Sequence, residues 1–181
     1  METNRYRPIA RVLSVLLLVG GMVLIAGGLF THSQVSAQLA QEKISMPQGE
    51  AIAKLKDESS RKNLEAYAGQ QLTTGPQAKA FADHFVWQHL MAASGGKTYA
   101  EVSGELIKKS QGMTPEQVQA NPELNKLQGL KQQMFMGNSL RGMLLNAYAW
   151  WTAGSVCLWG GMALAGLALA FGAFGFFPRK R

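Results

Sequence analysis

Two stretches of this chain, Val12 to Phe30 and Trp151 to Phe177, contain no charged residue, and each carries basic residues at its outer chain end. That arrangement constrains the fold more than anything else in the sequence. As a helix, the first run rises about 28 Å, close to the ~30 Å hydrocarbon core of a bilayer. The second is longer and must tilt or overhang. Arg5, Arg7 and Arg11 precede the first run, and Arg179, Lys180 and Arg181 follow the second. The positive-inside rule then places both ends of the chain in the cytoplasm. Two crossings put the intervening segment outside, and at this length its own slight positive charge has no vote. Tyr148, Trp150 and Trp151 stand at the outer mouth of the second run, as an interfacial aromatic belt does.

The division that follows is a cytoplasmic N-terminus (1–11), a first membrane helix (12–30), an extracytoplasmic domain (31–150), a second membrane helix (151–177) and a cytoplasmic tail (178–181). A cleaved signal peptide is the rival reading of the first run, with Val35-Ser36-Ala37 as a small-residue cleavage site. The run exceeds the 7–15 residues of a signal h-region, which favours an uncleaved signal anchor. The expected location is the cytoplasmic membrane.

The net charge of +7 suggests nucleic acid until it is divided along the chain. Most of the excess lies at the two ends, and residues 32–146 hold twelve Lys/Arg against ten Asp/Glu. A nucleic-acid surface needs its positive charge gathered on a folded face, so the partner is lipid and not a polyanion. No Asp, Glu, Lys, Arg or His lies within either apolar run, which argues against a proton-coupled transporter. Cys157, the single cysteine, reads as a small packing residue in the second run. Gly161/Ala165 and Gly166/Ala170 are small-xxx-small pairs that let helix backbones approach closely. They serve either the packing of the two helices on each other or association with another membrane protein.

Between the runs, Val and Ile are sparse while Ala, Leu, Gln, Lys and Glu dominate, so the fold class is all-α. The first helix continues to about Gln41, before Pro47 and Gly49. Short helices are expected at Ala51–Lys56 and Arg61–Ala68. Gly75-Pro76 opens a helix that ends at Gly95-Gly96, with Ala78, Phe81, Ala82, Phe85, His89 and Ala92 on one face. Thr98-Tyr99-Ala100-Glu101 is a capping box, with Tyr99, Val102, Leu106 and Ile107 facing inward. Thr114-Pro115-Glu116-Gln117 repeats the start signal. Asn121-Pro122 begins a last segment with Leu124, Leu127, Leu130 and Met134 at helical spacing, interrupted at Gly137.

Chemical motifs are thin. Gly95-Gly96-Lys97-Thr98 ends like a phosphate-binding loop, but Met91 occupies the position of its first glycine and a helix precedes it. His84 and His89 are five apart, about 140° around a helix, whereas zinc ligands on one face are four apart. No cofactor and no metal is therefore assigned. Asp83 and Lys79 form an i,i+4 surface pair. Arg141 and Asn146 lie just before the second run, in an otherwise apolar segment. Arg141 either snorkels to outer-leaflet phosphates or contacts a partner subunit or head group, and Asn146 caps or bridges helices or does likewise.

Several stretches resemble a family of actinobacterial two-span membrane proteins. They are Tyr67–Gln70, Thr74–Ala80, Ala82-Asp83, His89-Leu90, Gly96–Ser103 and Leu140–Ala149, covering about 64–154. Members are often labelled aromatic ring-opening dioxygenases, but enzymes of that chemistry hold iron by two histidines and a carboxylate. The spacing of His84 and His89 does not supply that set. The resemblance implies topology and host lineage.

The leading functional expectation is an accessory or scaffold subunit of the cell envelope that docks a larger membrane complex. Its interaction or lipid contacts would be Arg141, Asn146, Gly161, Ala165, Gly166 and Ala170. A homo-oligomeric pore with two helices per subunit is the alternative, with little polar lining beyond Ser14, Thr152 and Ser155. An extracytoplasmic enzyme would require Asp83, His89, Tyr99 and Glu101 to converge in a pocket.

Overall fold

The computed structural model describes residues 3–176, with side chains from Tyr6 onward. Phe177, Arg179, Lys180, Arg181 and the side chain of Arg5 lie outside the described residues. The described residues are helical, in the order α1 (Thr3–Gln41), α2 (Glu50–Ala53), α3 (Glu58–Glu65), α4 (Gly75–Ala80), a π-helical turn (Phe81–Val86), α5 (Trp87–Ser94), α6 (Tyr99–Ser110), α7 (Pro115–Ala120) and α8 (Pro122–Phe176). The one β-type contact among them is an isolated antiparallel bridge between Ser45 and Gln71. The chain divides into a helical hairpin (3–38 with 149–176) and a helical domain, Leu39–Tyr148.

In the hairpin, α1 and α8 are each long and apolar enough to cross a membrane. Only 17% and 11% of their most apolar stretches are buried within the structure. Their seam is built of small residues seven apart. Gly28, Gly21 and Ser14 on α1 meet Gly154, Gly161 and Ala168 on α8 in antiparallel order. A Cβ on Gly28 would lie 2.6 Å from the Gly154 carbonyl oxygen, and one on Gly161 would lie 2.7 Å from that of Gly21. Backbone meets backbone there, so no side chain can move aside. The Ser14 hydroxyl donates to the Ala168 carbonyl at 2.8 Å, and Arg11 Nε donates to that of Gly175 at 2.9 Å. A seven-residue step returns to nearly the same helix face, with a drift of only ~20°, so one stripe serves the whole seam. At the other end the His32 ring stacks on Trp151 with centroids 4.0 Å apart, over the space that a Cβ on Gly154 would fill. His32 Nε2 lies 2.9 Å from the Trp151 carbonyl oxygen, which can only accept, so the proton resides on Nε2.

The domain packs by large side chains instead. Leu64, Leu72, Val102 and Met134 are wholly enclosed, with Met46, Ile52, Phe81, Val86, Leu90, Leu106, Leu124 and Leu144 around them. Three helices open on capping boxes: Thr74 with Gln77, Thr98 with Glu101, and Thr114 with Gln117. Asp57 caps α3 by accepting from the Ser60 N–H at 2.7 Å. Lys97, Glu105, Lys109 and Glu123 form a surface ion-pair chain from the start of α6 to α8.

Four expectations change. The short helices shift to Glu50–Ala53 and Glu58–Glu65 because Gly49 and Asp57 set their starts. Gly137 does not interrupt α8: Leu90 occupies the space its Cβ would take, and that close packing outweighs the ~1 kcal/mol helix penalty of glycine. The helix from Gly75 does not keep one register. Its π turn inserts extra residue per turn, so the buried series continues as Val86, Leu90 and Ser94. Phe85 is half-buried, and His89 and Ala92 are exposed. On α6, Val102 and Leu106 face inward as expected, but Ile107 is 66% exposed.

Candidate functional site

The π turn carries a compact charged cluster. Lys79, in the last turn of α4, and Asp83, inside the π turn, are joined at 2.5 Å. The second carboxylate oxygen of Asp83 accepts from Arg141 Nη2 at 2.7 Å, an ion pair that reaches across 58 residues of sequence to α8. The guanidinium lies 4.9 Å from the centre of the Trp87 ring, and the Lys79 ammonium lies 5.5 Å from that of Tyr148. Two cations thus share one carboxylate, each backed by an aromatic face. Burial pushes the Asp83 carboxyl up, but the hydrogen bonds from Lys79 and Arg141 outweigh it and hold the group below the ordinary carboxylate range. Arg141 Nε is buried and has no hydrogen-bond partner.

This arrangement corrects one expectation. Asp83 is not merely the partner of Lys79 on a surface, because its side chain is only 21% exposed and it ties α8 to the π turn. Arg141 gives Nη2 to that carboxylate while its side chain stays 31% exposed. Asn146 is exposed on α8. Gly161 and Ala165 are brought into the hairpin seam against Gly21. Gly166 has open space where a Cβ would be, and Ala170 is exposed. The seam therefore follows the seven-residue series and leaves the second small-xxx-small pair outside it. That series was present in the sequence as Gly154, Gly161, Ala168 and Gly175. The Asp83–Arg141 pair had no local signal, because no helix periodicity links residues so far apart.

A second polar cluster is structural. Ser60 Oγ lies 3.1 Å from His84 Nδ1 and accepts from Gln88 Nε2 at 3.3 Å. It looks like part of a nucleophile–base pair, but Ser60 is only 1% exposed, and Asp57 touches the Ser60 backbone. The cluster pins α3 to the π turn. A cleft of about 510 Å³ between α2 and α5 is lined by Lys54, Leu55, Lys56, His89 and Gly96, among others. His89 Nδ1 donates to the Phe85 carbonyl at 2.8 Å. Among the described residues, no three His, Cys, Asp or Glu side chains gather closely enough to hold a metal ion. Asp83, His89, Tyr99 and Glu101 are each held elsewhere: by Lys79 and Arg141, by Phe85, against Phe135, and by Thr98. Neither protein-family models nor curated proteins nor solved structures gave a match to this chain.

Proposed function

We propose that the chain is a bacterial cell-envelope scaffold. Its hairpin spans the cytoplasmic membrane with both ends inside, residues 39–148 stand on the outer side, and it docks a larger membrane complex. The observation that carries the anchor is the matched small-residue seam. Cleavage after Ala37 would discard one half of a seam whose other half is built to the same seven-residue step, so the seam supports an uncleaved anchor. The flanking basic residues and the resemblance to actinobacterial two-span proteins agree with that topology.

Docking is supported by what the seam leaves over. Gly20, Gly27 and Gly166 have open space beside them, and Met136 and Met143 of the domain are 57% and 71% exposed. Against the pore alternative, Ser14 is bonded within the seam and the Ser155 hydroxyl donates to the Trp151 carbonyl.

Two experiments test this. In a Cys157→Ser background, Lys62→Cys or Lys126→Cys should react with a membrane-impermeant maleimide in intact cells, since both positions are exposed. Protection of both until lysis overturns the topology. A photo-cross-linker at Gly166 or Met143 should give an adduct whose mass differs from twice the 19.6 kDa chain. An adduct of two identical chains favours the homo-oligomer instead.

A further inference from the structure

Arg141 has five N–H donors, and the structure engages one of them with a side-chain acceptor, through Nη2. Arginine–carboxylate pairs are frequently bidentate. Here Asp83 gives Arg141 one oxygen and Lys79 the other, so neither cation is fully matched. The buried Nε is left without an acceptor. The cluster therefore carries one positive charge in excess and lacks acceptors on its guanidinium. Trp87 and Tyr148 hold the two cations in place without neutralising them. The side chains of Lys79 and Arg141 are 47% and 31% exposed, so the cationic edge is open to a ligand.

We infer that Lys79 and Arg141, bridged by Asp83, bind a phosphate group, and that its source is the headgroup of an anionic phospholipid. A phosphodiester offers two non-bridging oxygens at a spacing suited to the guanidinium fork. In such a contact the exposed part of the Arg141 guanidinium takes one of them and Lys79 the other. The lipid source rests on the membrane-anchored reading proposed above. Tyr148, whose ring faces the Lys79 ammonium, stands three residues before the apolar run at Trp151, the position of an interfacial aromatic residue in that topology.

The test uses the full chain in a neutral maltoside detergent, titrated with dihexanoyl-phosphatidylglycerol and followed by native mass spectrometry. Arg141→Gln should weaken binding by about tenfold or more, and Lys79→Gln by about threefold to tenfold. Asp83→Asn should tighten binding, because it removes the anion that competes with the phosphate. A purely structural ion pair predicts no such gain. Lys79 is half-exposed, so Lys79→Gln keeps the test valid if Arg141→Gln unfolds, with far-UV helicity as the check. Unchanged affinity in Lys79→Gln together with weaker binding in Asp83→Asn overturns the site. Equal affinity for inorganic phosphate overturns the lipid source. Carbonate extraction of the wild-type chain from membranes would sink the anchor reading, while the short-chain lipid titration still reports on the site itself.

Discussion

The hairpin and the domain hold together by opposite means. In the hairpin, contact depends on what residues lack: at Gly28, Gly21, Gly154 and Gly161 the absence of a Cβ lets two backbones approach. In the domain, contact depends on what residues fill: Leu64, Leu72 and Met134 are wholly enclosed side chains. The membrane topology proposed above accounts for the difference. Between helices placed in hydrocarbon, burying a leucine gains little, so close backbone packing and hydrogen bonds such as Ser14 to Ala168 would hold the pair. In water, large apolar side chains supply the driving force. The domain should therefore be broken by making residues smaller, and the hairpin by making them larger.

The largest effect is expected in the domain. Phe81 is 8% exposed, and Phe81→Ala should cost about 3–5 kcal/mol. Phe85, half-buried beyond the register shift, should cost clearly less, and exposed His89→Ala should stay within about 0.5 kcal/mol. Urea unfolding of the full chain in detergent, followed by far-UV circular dichroism, checks the series. Equal losses at Phe81, Phe85 and His89 would mean that the helix keeps a plain α-helical register and that the π turn is wrong.

Next comes the hairpin, with two adjacent glycines as the comparison. A methyl on Gly161 meets the Gly21 carbonyl oxygen and the Ile25 backbone N–H, whereas one on Gly160 meets nothing within 4 Å. Gly161→Ala should destabilise by about 1–3 kcal/mol, as overpacking does. Gly160→Ala should be neutral or slightly stabilising. Unfolding in increasing SDS mole fraction would read both. If the two variants behave alike, α1 and α8 do not meet along the seven-residue series.

What could be read beforehand divides along the same line. Helix content, the capping box at Thr98, the repeated start signal at Thr114 and the two apolar runs were legible, because they depend on neighbours within four residues; the Thr74–Gln77 box was missed behind Gly75-Pro76. The seam was half legible: Gly161 and Ala165 were identified, but a search at four-residue spacing also picked out Gly166 and Ala170, which point away. The register shift at Phe81–Val86 was hidden, since a π turn arises where tertiary packing of Val86, Leu90 and Ser94 outweighs local helix geometry. So was the partner of Arg141. Asp83 lies on a separate helical element, and only the folded domain brings the two together.

A smaller effect separates charge from packing within the domain. The Asp83 carboxyl is held below its ordinary pKa of 3.8, so its contribution is fully present above that value and is lost as pH falls through the lower folded value. Partial exposure screens the pair, and a contribution on the order of 1 kcal/mol at pH 7 is expected. Asp57, Glu101 and Glu105 are also held low, by hydrogen bonds from Ser60, Thr98 and Lys97 respectively, so the wild-type acid limb is a composite. The difference between wild type and Asp83→Asn isolates one group. It should be constant from pH 7 to about pH 5 and shrink below pH 4. A difference that does not change with acid would mean that the carboxylate charge adds nothing to the fold.

The last comparison lies on α6, where two neighbouring residues should part company. Leu106 is 8% exposed and Ile107 is 66% exposed, although both were expected to face inward. Leu106→Ala should cost about 2–5 kcal/mol and Ile107→Ala less than about 0.5 kcal/mol. The physical ground is rotation: one residue turns the helix by about 100°, which carries Ile107 off the face shared by Val102 and Leu106. The ion pairs of Glu105 with Lys97 and Lys109 lie on the accessible side and constrain that rotation from the other direction. Urea midpoints of the two variants at matched slope decide it. If Ile107→Ala loses as much stability as Leu106→Ala, α6 is turned and Ile107 is part of the core. If Ile107→Ala leaves stability intact but abolishes a cross-link from Met143, the docking face extends onto α6.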